Sequence, residues 1–402
     1  MDNVLVCRRE NNTKRNYVLV NKYQGKHYPI EETHIIKEVD KLFNGLCNSY
    51  KEVMNGNNKI VIGFAETATG IGAMFGKHFM SRYNSWYTTT TREDIPNKEY
   101  IDFSEEHSHA TEQRLYIEDL KEAYQDKYDL FFVEDEITTG NTIRNMLKKL
   151  NSTDILKNCN VVYINSLLNG MSNEDVVKME ALGKELGLDI KTNYNQKIDS
   201  KASFTKKAEG IEIVKRNFYN FDMGDNLRMR NSYSAFSYDE DLGFDIRTGM
   251  KIKDYCYHLR RVLSKAASDI KDKNLVSNES KIRVIGTEEC MYPAIELSNI
   301  LRGSLSNPDI KTHSTTRSPI EAGYSIDTSL EYGLTSRYVC HSLYEDNRWT
   351  YLYNSLDDDR DSDLVIIVTD SKRSKIQSLG LVDLVTFYKE YCNAKNTYIV
   401  RI

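Results

Sequence analysis

Residues 129–147 read DLFFVEDEITTGNTIRNML, an apolar run, then acids, then a turn of threonines and one glycine, then apolar positions at helical spacing. Aromatic and β-branched residues followed by a turn and an amphipathic stretch predict a buried parallel strand at 129–133 and a helix from about 142. Open α/β sheets bind ligands at the carboxyl ends of their strands, so Glu134 and Asp135 stand at a ligand-facing edge. Beyond them Gly140 frees the backbone, Thr138, Thr139 and Thr142 offer hydroxyls, and the first helical turn, with Asn141, leaves N–H groups unpaired. Such a turn suits a phosphate. Two carboxylates beside it would repel a bare phosphate, so they must face hydroxyl donors or a metal on the same ligand. A ribose 5-phosphate meets both demands.

Working outward, the same alternation continues. Ile35, Ile36, Val39, Leu42, Phe43, Leu46, Tyr50 and Val53 mark one face of a long helix starting near Glu31. NKIVIGF (58–64) is a short buried strand, AETATGIGAMFGKHFM is glycine-punctuated and then helical, SWYTTTT (85–91) is a strand, 114–124 is helical, and NVVYINSLL (160–168) is a strand. Strands alternating with helices imply a parallel sheet with helices on both faces, an α/β domain.

The second half repeats the first in order. VNKYQGKHYPI, a long amphipathic helix and KIVIGFAE are answered by FDIRTGMKI, a helix carrying Tyr255, Leu259, Val262, Leu263, Ala266 and Ile270, and IRVIGTEE. TTTTRE (88–93) is answered by HSTTRSP (313–319), HSHATEQR (107–114) by HSLYEDNR (341–348), and DLFFVED by DLVIIVTD (363–370). Blocks in matching order predict tandem related domains. In the second, Thr369 and Asp370 stand at the places of Glu134 and Asp135, and SKRSKIQ, with Lys372 and Arg373, replaces the threonine-glycine turn. That half is expected to keep the fold and lose the phosphate cradle, while Glu288, Glu289, Arg317, Ser318, His341 and Arg348 mirror first-half positions. The boundaries expected are 1–186 and 241–402, with 187–240 as a connection or cap holding one or two strands.

The 402 residues carry a net charge of -5 with acids and bases interleaved, and no basic stripe of the kind that neutralises nucleic-acid phosphates. No apolar run approaches the roughly 20 residues that cross a bilayer, and the N-terminus lacks a signal-peptide core. Seven scattered cysteines without a C-x-x-C pair read as reduced core thiols. A cytoplasmic protein, without membrane or nucleic-acid partners, is expected.

The strand, two acids and Thr-Thr-Gly-x-Thr turn resemble the signature of type I phosphoribosyltransferases, matched here by Val133, Glu134, Asp135, Ile137, Thr138, Thr139, Gly140 and Thr142; Glu136 stands where an apolar residue is usual. GFAETATGIG (63–72) is similar to the family's pyrophosphate loop, which implies ligand contacts from Ala65, Glu66, Thr67, Ala68, Thr69 and Gly70. TTRE and the polar stretch after it fall where the family has its mobile catalytic loop. This makes Arg92 and Arg114 candidates for pyrophosphate oxygens, and His107 and His109 for proton handling or loop closure. With Thr316-Arg317-Ser318-Pro319, the chain resembles phosphoribosyltransferases with a C-terminal TRSP domain, found with bacterial tellurium-resistance and stress-response operons. The resemblance implies phosphoribosyl pyrophosphate, a small-molecule acceptor and Mg2+, with Glu134 and Asp135 reaching the metal through ribose hydroxyls or water. It leaves open a homodimer and two other classes, a non-catalytic phosphoribosyl pyrophosphate or nucleotide sensor and a structural subunit.

Overall fold

The computed structural model describes residues 3–10, 15–103, 113–198, 208–213, 235–321, 323–325, 334, 336, 337–345, 348–371 and 379–402. Its contacts divide into two units. One holds 36–198 together with 243–258; the other holds the described residues up to 35, those between 208 and 242, and those from 259 onward.

The first unit is built on a six-stranded sheet. Strands β1 (Asn58–Gly63), β2 (Ser85–Thr89), β3 (Tyr128–Ile137), β4 (Cys159–Asn169) and β5 (Asp189–Lys197) run parallel in the spatial order β2-β1-β3-β4-β5. Met250–Lys251 adds a short antiparallel strand outside β2. Alternation along the strands separates two faces. Ile60, Ile62, Phe132, Val162 and Ile164 point one way, into a core completed by Ile143, Met146, Leu147 and Leu150 of a helix at Asn141–Asn151. On the other face the helix Ala68–Lys77 lies close to β1. A Cβ at its Gly72 would come within 2.8 Å of Gly63 Cα, so this glycine serves helix-to-strand contact.

The second unit holds a five-stranded, wholly parallel sheet. Its strands are β6 (Phe236–Asp239), β7 (Lys281–Gly286), β8 (Asp309–Ser314), β9 (Leu364–Thr369) and β10 (Asn396–Arg401), in the order β8-β7-β9-β10-β6. This is the first sheet again, except that the outer strand comes from sequence before the repeat rather than after it. The match extends to single hydrogen bonds. Gly63 pairs with Val133 and Gly286 with Val368. Phe64 N–H donates to Val133 O at 3.0 Å, and Thr287 N–H to Val368 O at 3.1 Å. Ala65 N–H donates to Thr90 Oγ1 at 2.8 Å, and Glu288 N–H to Thr315 Oγ1 at 2.9 Å. The fold is thus α/β, a parallel sheet flanked by helices followed by a related second α/β sheet.

Three local readings are corrected. Residues 114–116 are a strand, not helix: Arg114–Tyr116 pairs antiparallel with Tyr100–Asp102, and helix starts only at Lys121. Buried Leu115 and Tyr116, and a bridge from Arg114 to Thr91, favour the extended backbone over helical turns. The strand begun at Asp129 runs on to Ile137, because β4 is long enough to pair with Glu134, Glu136 and Ile137. The long helix expected to carry Tyr50 and Val53 ends at Ser49, and a 3-10 turn at Lys51–Met54 follows. Residues 189–197, inside the stretch expected to hold one or two strands, form β5, a polar edge strand with one buried side chain.

No helix among the described residues is long and apolar enough to cross a membrane. All seven cysteines are free, and burial pushes the Cys7 thiol up to about 12.

Candidate active site

Three segments meet the carboxyl edge of the first sheet. The first is the end of β3. Glu134, Asp135 and Glu136 are consecutive and all half-buried near its end. Glu134 is half-buried, yet its Oε2 is sealed from solvent and finds no hydrogen-bond partner among the described residues. Burial pushes its carboxyl well above the usual range, and the neighbouring charges of Asp135 and Glu136 add to the shift. Opposite Glu134 in the register is Ser166 of β4, whose Oγ is also buried and unpartnered among the described residues. Two buried oxygens side by side without donors are costly unless a ligand meets them. Ser166 was not singled out from the sequence; as one serine in an apolar strand, only its register with Glu134 marks it.

The second segment is the turn. Thr138 and Thr139 are half-buried, and Asn141 and Thr142 are exposed. Gly140 has φ +70° and caps the helix Asn141–Asn151 without a side-chain hydrogen bond; the Asn141 N–H donates to Thr139 Oγ1 at 3.4 Å. A Cβ on Gly140 would lie 3.0 Å from Met171 Sδ and Met179 Cε. The glycine therefore serves the left-handed turn and packing, rather than clearance toward a ligand. Arg144 braces the turn by donating to Thr139 O at 2.9 Å and to Asn141 Oδ1.

The third segment is the loop after β1. Ala65 and Thr67 are buried, Glu66 is half-buried, and the Ala65–Glu66 peptide is cis. Ala68, Thr69 and Gly70 form the buried first turn of the helix Ala68–Lys77, where Thr69 Oγ1 donates to Glu66 O at 3.0 Å. Thr67 gives that helix no side-chain cap. Arg92 Nη1 stands 3.9 Å from Glu66 Oε2. Arg114 donates to Arg92 O at 3.2 Å and lies over the Tyr100 ring, 5.0 Å from its centroid. The structure thus brings Arg92 to the loop and Arg114 to Arg92; His107 and His109 lie outside the described residues. Among the described residues no three His, Cys, Asp or Glu side chains converge to hold a metal ion.

The corresponding edge of the second sheet is occupied by its own side chains. Thr369 Oγ1 accepts from Thr287 Oγ1 at 3.0 Å and from Ser371 N–H at 3.1 Å, and Asp370 Oδ1 accepts from Tyr344 OH at 2.5 Å. At the place of Ala65 stands Glu288, fully buried with φ +50°. Its carboxylate receives Arg317 Nε and, at 2.8 Å, Ser342 Oγ; Arg317 Nη1 also donates to Glu345 Oε1 at 3.2 Å. Arg348 pairs with Glu345, and His341 Nδ1 lies 2.6 Å from Asp383 Oδ2. Ser318 N–H donates to Thr316 Oγ1 at 3.1 Å. Lys372 and Arg373 lie outside the described residues.

Comparison with known proteins finds a separate family match for each half of the sequence. Residues 4–197 match the family model described as Phosphoribosyl transferase, and residues 246–385 match that of the TRSP domain found C-terminal to it. No match was found among curated proteins. Similar solved structures include adenine phosphoribosyltransferase from Rhodothermus marinus, at 10% identity and TM-score 0.33, over 49% of this chain and 94% of that one. The APRTase of Giardia lamblia gives 11% and 0.32, over 49% and 94%. A hypoxanthine phosphoribosyltransferase from Staphylococcus aureus gives 16% and 0.26, over 44% and 78%. The chain belongs to the phosphoribosyltransferases that carry a C-terminal TRSP domain.

Proposed function

We propose that the first unit transfers ribose 5-phosphate from phosphoribosyl pyrophosphate to a base-like acceptor and releases pyrophosphate. The observation that carries this reading is the buried Glu134 Oε2, without a partner among the described residues, close in sequence to a helix start that its Gly140 N-cap leaves without a side-chain cap. A ligand that ends in a phosphate and bears hydroxyls satisfies both. The phosphate would rest on the turn Thr138–Thr142, and ribose hydroxyls would donate to Glu134 and Asp135.

Breaking the C1–pyrophosphate bond builds positive charge on the ribose and negative charge on the leaving group. Fixed carboxylates near the ribose, and fixed amides and guanidinium groups near the pyrophosphate, stabilise that separation more than they stabilise the bound substrate. Glu134 and Asp135 supply the first. The loop at 65–70, Arg92 and Arg114 supply the second. A hydroxyl donating to Glu134 Oε2 would oppose the raising effect of burial and of the Asp135 and Glu136 charges, favouring the ionised form that the reaction needs.

Mg2+ fits this donor set only when carried on ligand oxygens, since the described side chains build no three-ligand cage of their own. When bound, it would neutralise charge on the departing pyrophosphate. Glu134 and Asp135 would orient the hydroxyls that hold it.

Release of pyrophosphate with a panel of purines, pyrimidines and other nitrogen heterocycles tests the assignment. Acceptor-dependent release is expected. Tight binding of phosphoribosyl pyrophosphate with no release for any acceptor would turn the reading to a regulator.

A further inference from the structure

The two halves of the sequence trade a segment. Each long helix, Glu32–Ser49 and Ile252–Asp272, is preceded by a short arm of the same design. In the first arm Asn21 Oδ1 accepts from Tyr23 N–H at 2.9 Å, one 3-10 turn follows, and Gly25 ends it at φ +77°. In the second, Asp245 Oδ1 accepts from Arg247 N–H at 3.0 Å, one 3-10 turn follows, and Gly249 ends it at φ +92°. Each arm docks on the sheet of the opposite half of the chain. Ile30 bridges antiparallel to Thr312 at the edge of the second sheet, and Met250–Lys251 pairs antiparallel with Trp86 and Tyr87 at the same edge of the first.

Both arms reach toward the ends of the strands they flank. In the second unit buried Lys26 donates through Nζ to Glu288 O, in the loop that answers the pyrophosphate loop, and Ser314 N–H donates to Lys26 O at 3.0 Å. In the first unit Thr88 Oγ1 donates to Arg247 O at 3.0 Å, one residue before Thr89 ends the strand that leads to Arg92. Gly249 sits so tightly there that a Cβ would meet Leu120 Cδ2 at 2.6 Å, and Lys251 Nζ reaches Glu122 Oε1 at 2.8 Å. The arm is therefore wedged between β2 and the segment that follows Arg114–Tyr116.

We infer that the arm at Asp245–Lys251 is a positioning element of the first-half site, a part of that site supplied by the TRSP half of the sequence. It sets the strand end bearing Arg92 and the short strand bearing Arg114, and so the affinity for pyrophosphate, while the phosphate turn at 138–142 does not depend on it. The ligand readout rests on the proposed function; the docking of the arm does not.

The test uses the full-length chain with Gly249→Val, Gly25→Val as its mirror, and Thr88→Val as a milder cut that removes only the hydroxyl donor. Hydrogen exchange of residues 86–91 and 114–120 should quicken at least about tenfold in Gly249→Val, and less in Thr88→Val. By calorimetry, inorganic pyrophosphate should bind Gly249→Val at least about tenfold more weakly, with ribose 5-phosphate held within about twofold. Gly25→Val should quicken exchange only around 310–316 and leave both affinities as they were. Unchanged exchange at 86–91 and 114–120 in both Gly249→Val and Thr88→Val would overturn the inference, as would equal loss of the two ligands. If the wild type bound neither ligand, the proposed function would fail, and exchange alone would still decide whether the arm holds these strands.

Discussion

The two sheets share strand order and individual backbone hydrogen bonds, yet their carboxyl edges differ in one respect that bears on chemistry. At the first, Glu134 Oε2 and Ser166 Oγ are buried without partners among the described residues. At the second, Thr369, Asp370 and Glu288 are all bonded to neighbouring side chains. Backbone pairing preserves an architecture whatever the side chains at strand ends do. Function resides in a few end positions, and in the second half one of them, Glu288, holds a buried carboxylate bonded to neighbouring side chains.

The largest effect should come from breaking that internal bonding. Arg317→Ala takes the guanidinium from the buried Glu288 carboxylate, so stability should fall by about 3–5 kcal/mol. Denaturant unfolding measures this; a loss no larger than for an exposed pair would mean the second edge is open to solvent. In the first half the corresponding cut should act on turnover instead. Asp135→Asn or Glu134→Gln should cost roughly 2–5 kcal/mol of transition-state stabilisation, at least about thirtyfold in rate, with melting little changed. Wild-type rates in both variants would remove the distinction between the edges.

Gly140→Ala probes the threonine-glycine turn, whose place in the second-half sequence is taken by SKRSKIQ. Its left-handed backbone should cost about 1–2 kcal/mol of stability, and the misplaced amides should weaken ribose 5-phosphate binding besides, as calorimetry below the melting range would show. The smallest effect is a pH dependence. Because the folded-state pKa of Glu134 is raised, the unfolded chain releases its proton first as pH rises above about 4.3, and the folded state loses relative stability until Glu134 itself ionises. The melting temperature of ligand-free wild type, relative to Glu134→Gln, should therefore decline with rising pH across that window. Calorimetry showing a constant difference would mean Glu134 is not buried as described.

Much of this was legible beforehand. The apolar strands, the order of the repeats and the acids at 134 and 135 follow from periodicity and composition, because buried parallel strands are nearly all apolar. The position of β5 within 187–240 is not marked in the sequence because DIKTNYNQK is a half-exposed edge with no apolar run. The strand at 114–116 is three residues long and held by partners distant in sequence, which local pattern does not carry. The exchange of arms and the buried ion pair of Glu288 with Arg317 depend on which segments meet in space. Spacing along the chain records neither. Ser166 is marked only by its register with Glu134.

The central claim, that one carboxyl edge takes a phosphoribosyl ligand and its copy does not, is tested most directly by titrating ribose 5-phosphate into wild type, Asp135→Asn and Asp370→Asn by calorimetry. One site per chain is predicted, weakened by Asp135→Asn and unchanged by Asp370→Asn. Two equivalent sites, or a loss of binding in Asp370→Asn that matches Asp135→Asn, would contradict it.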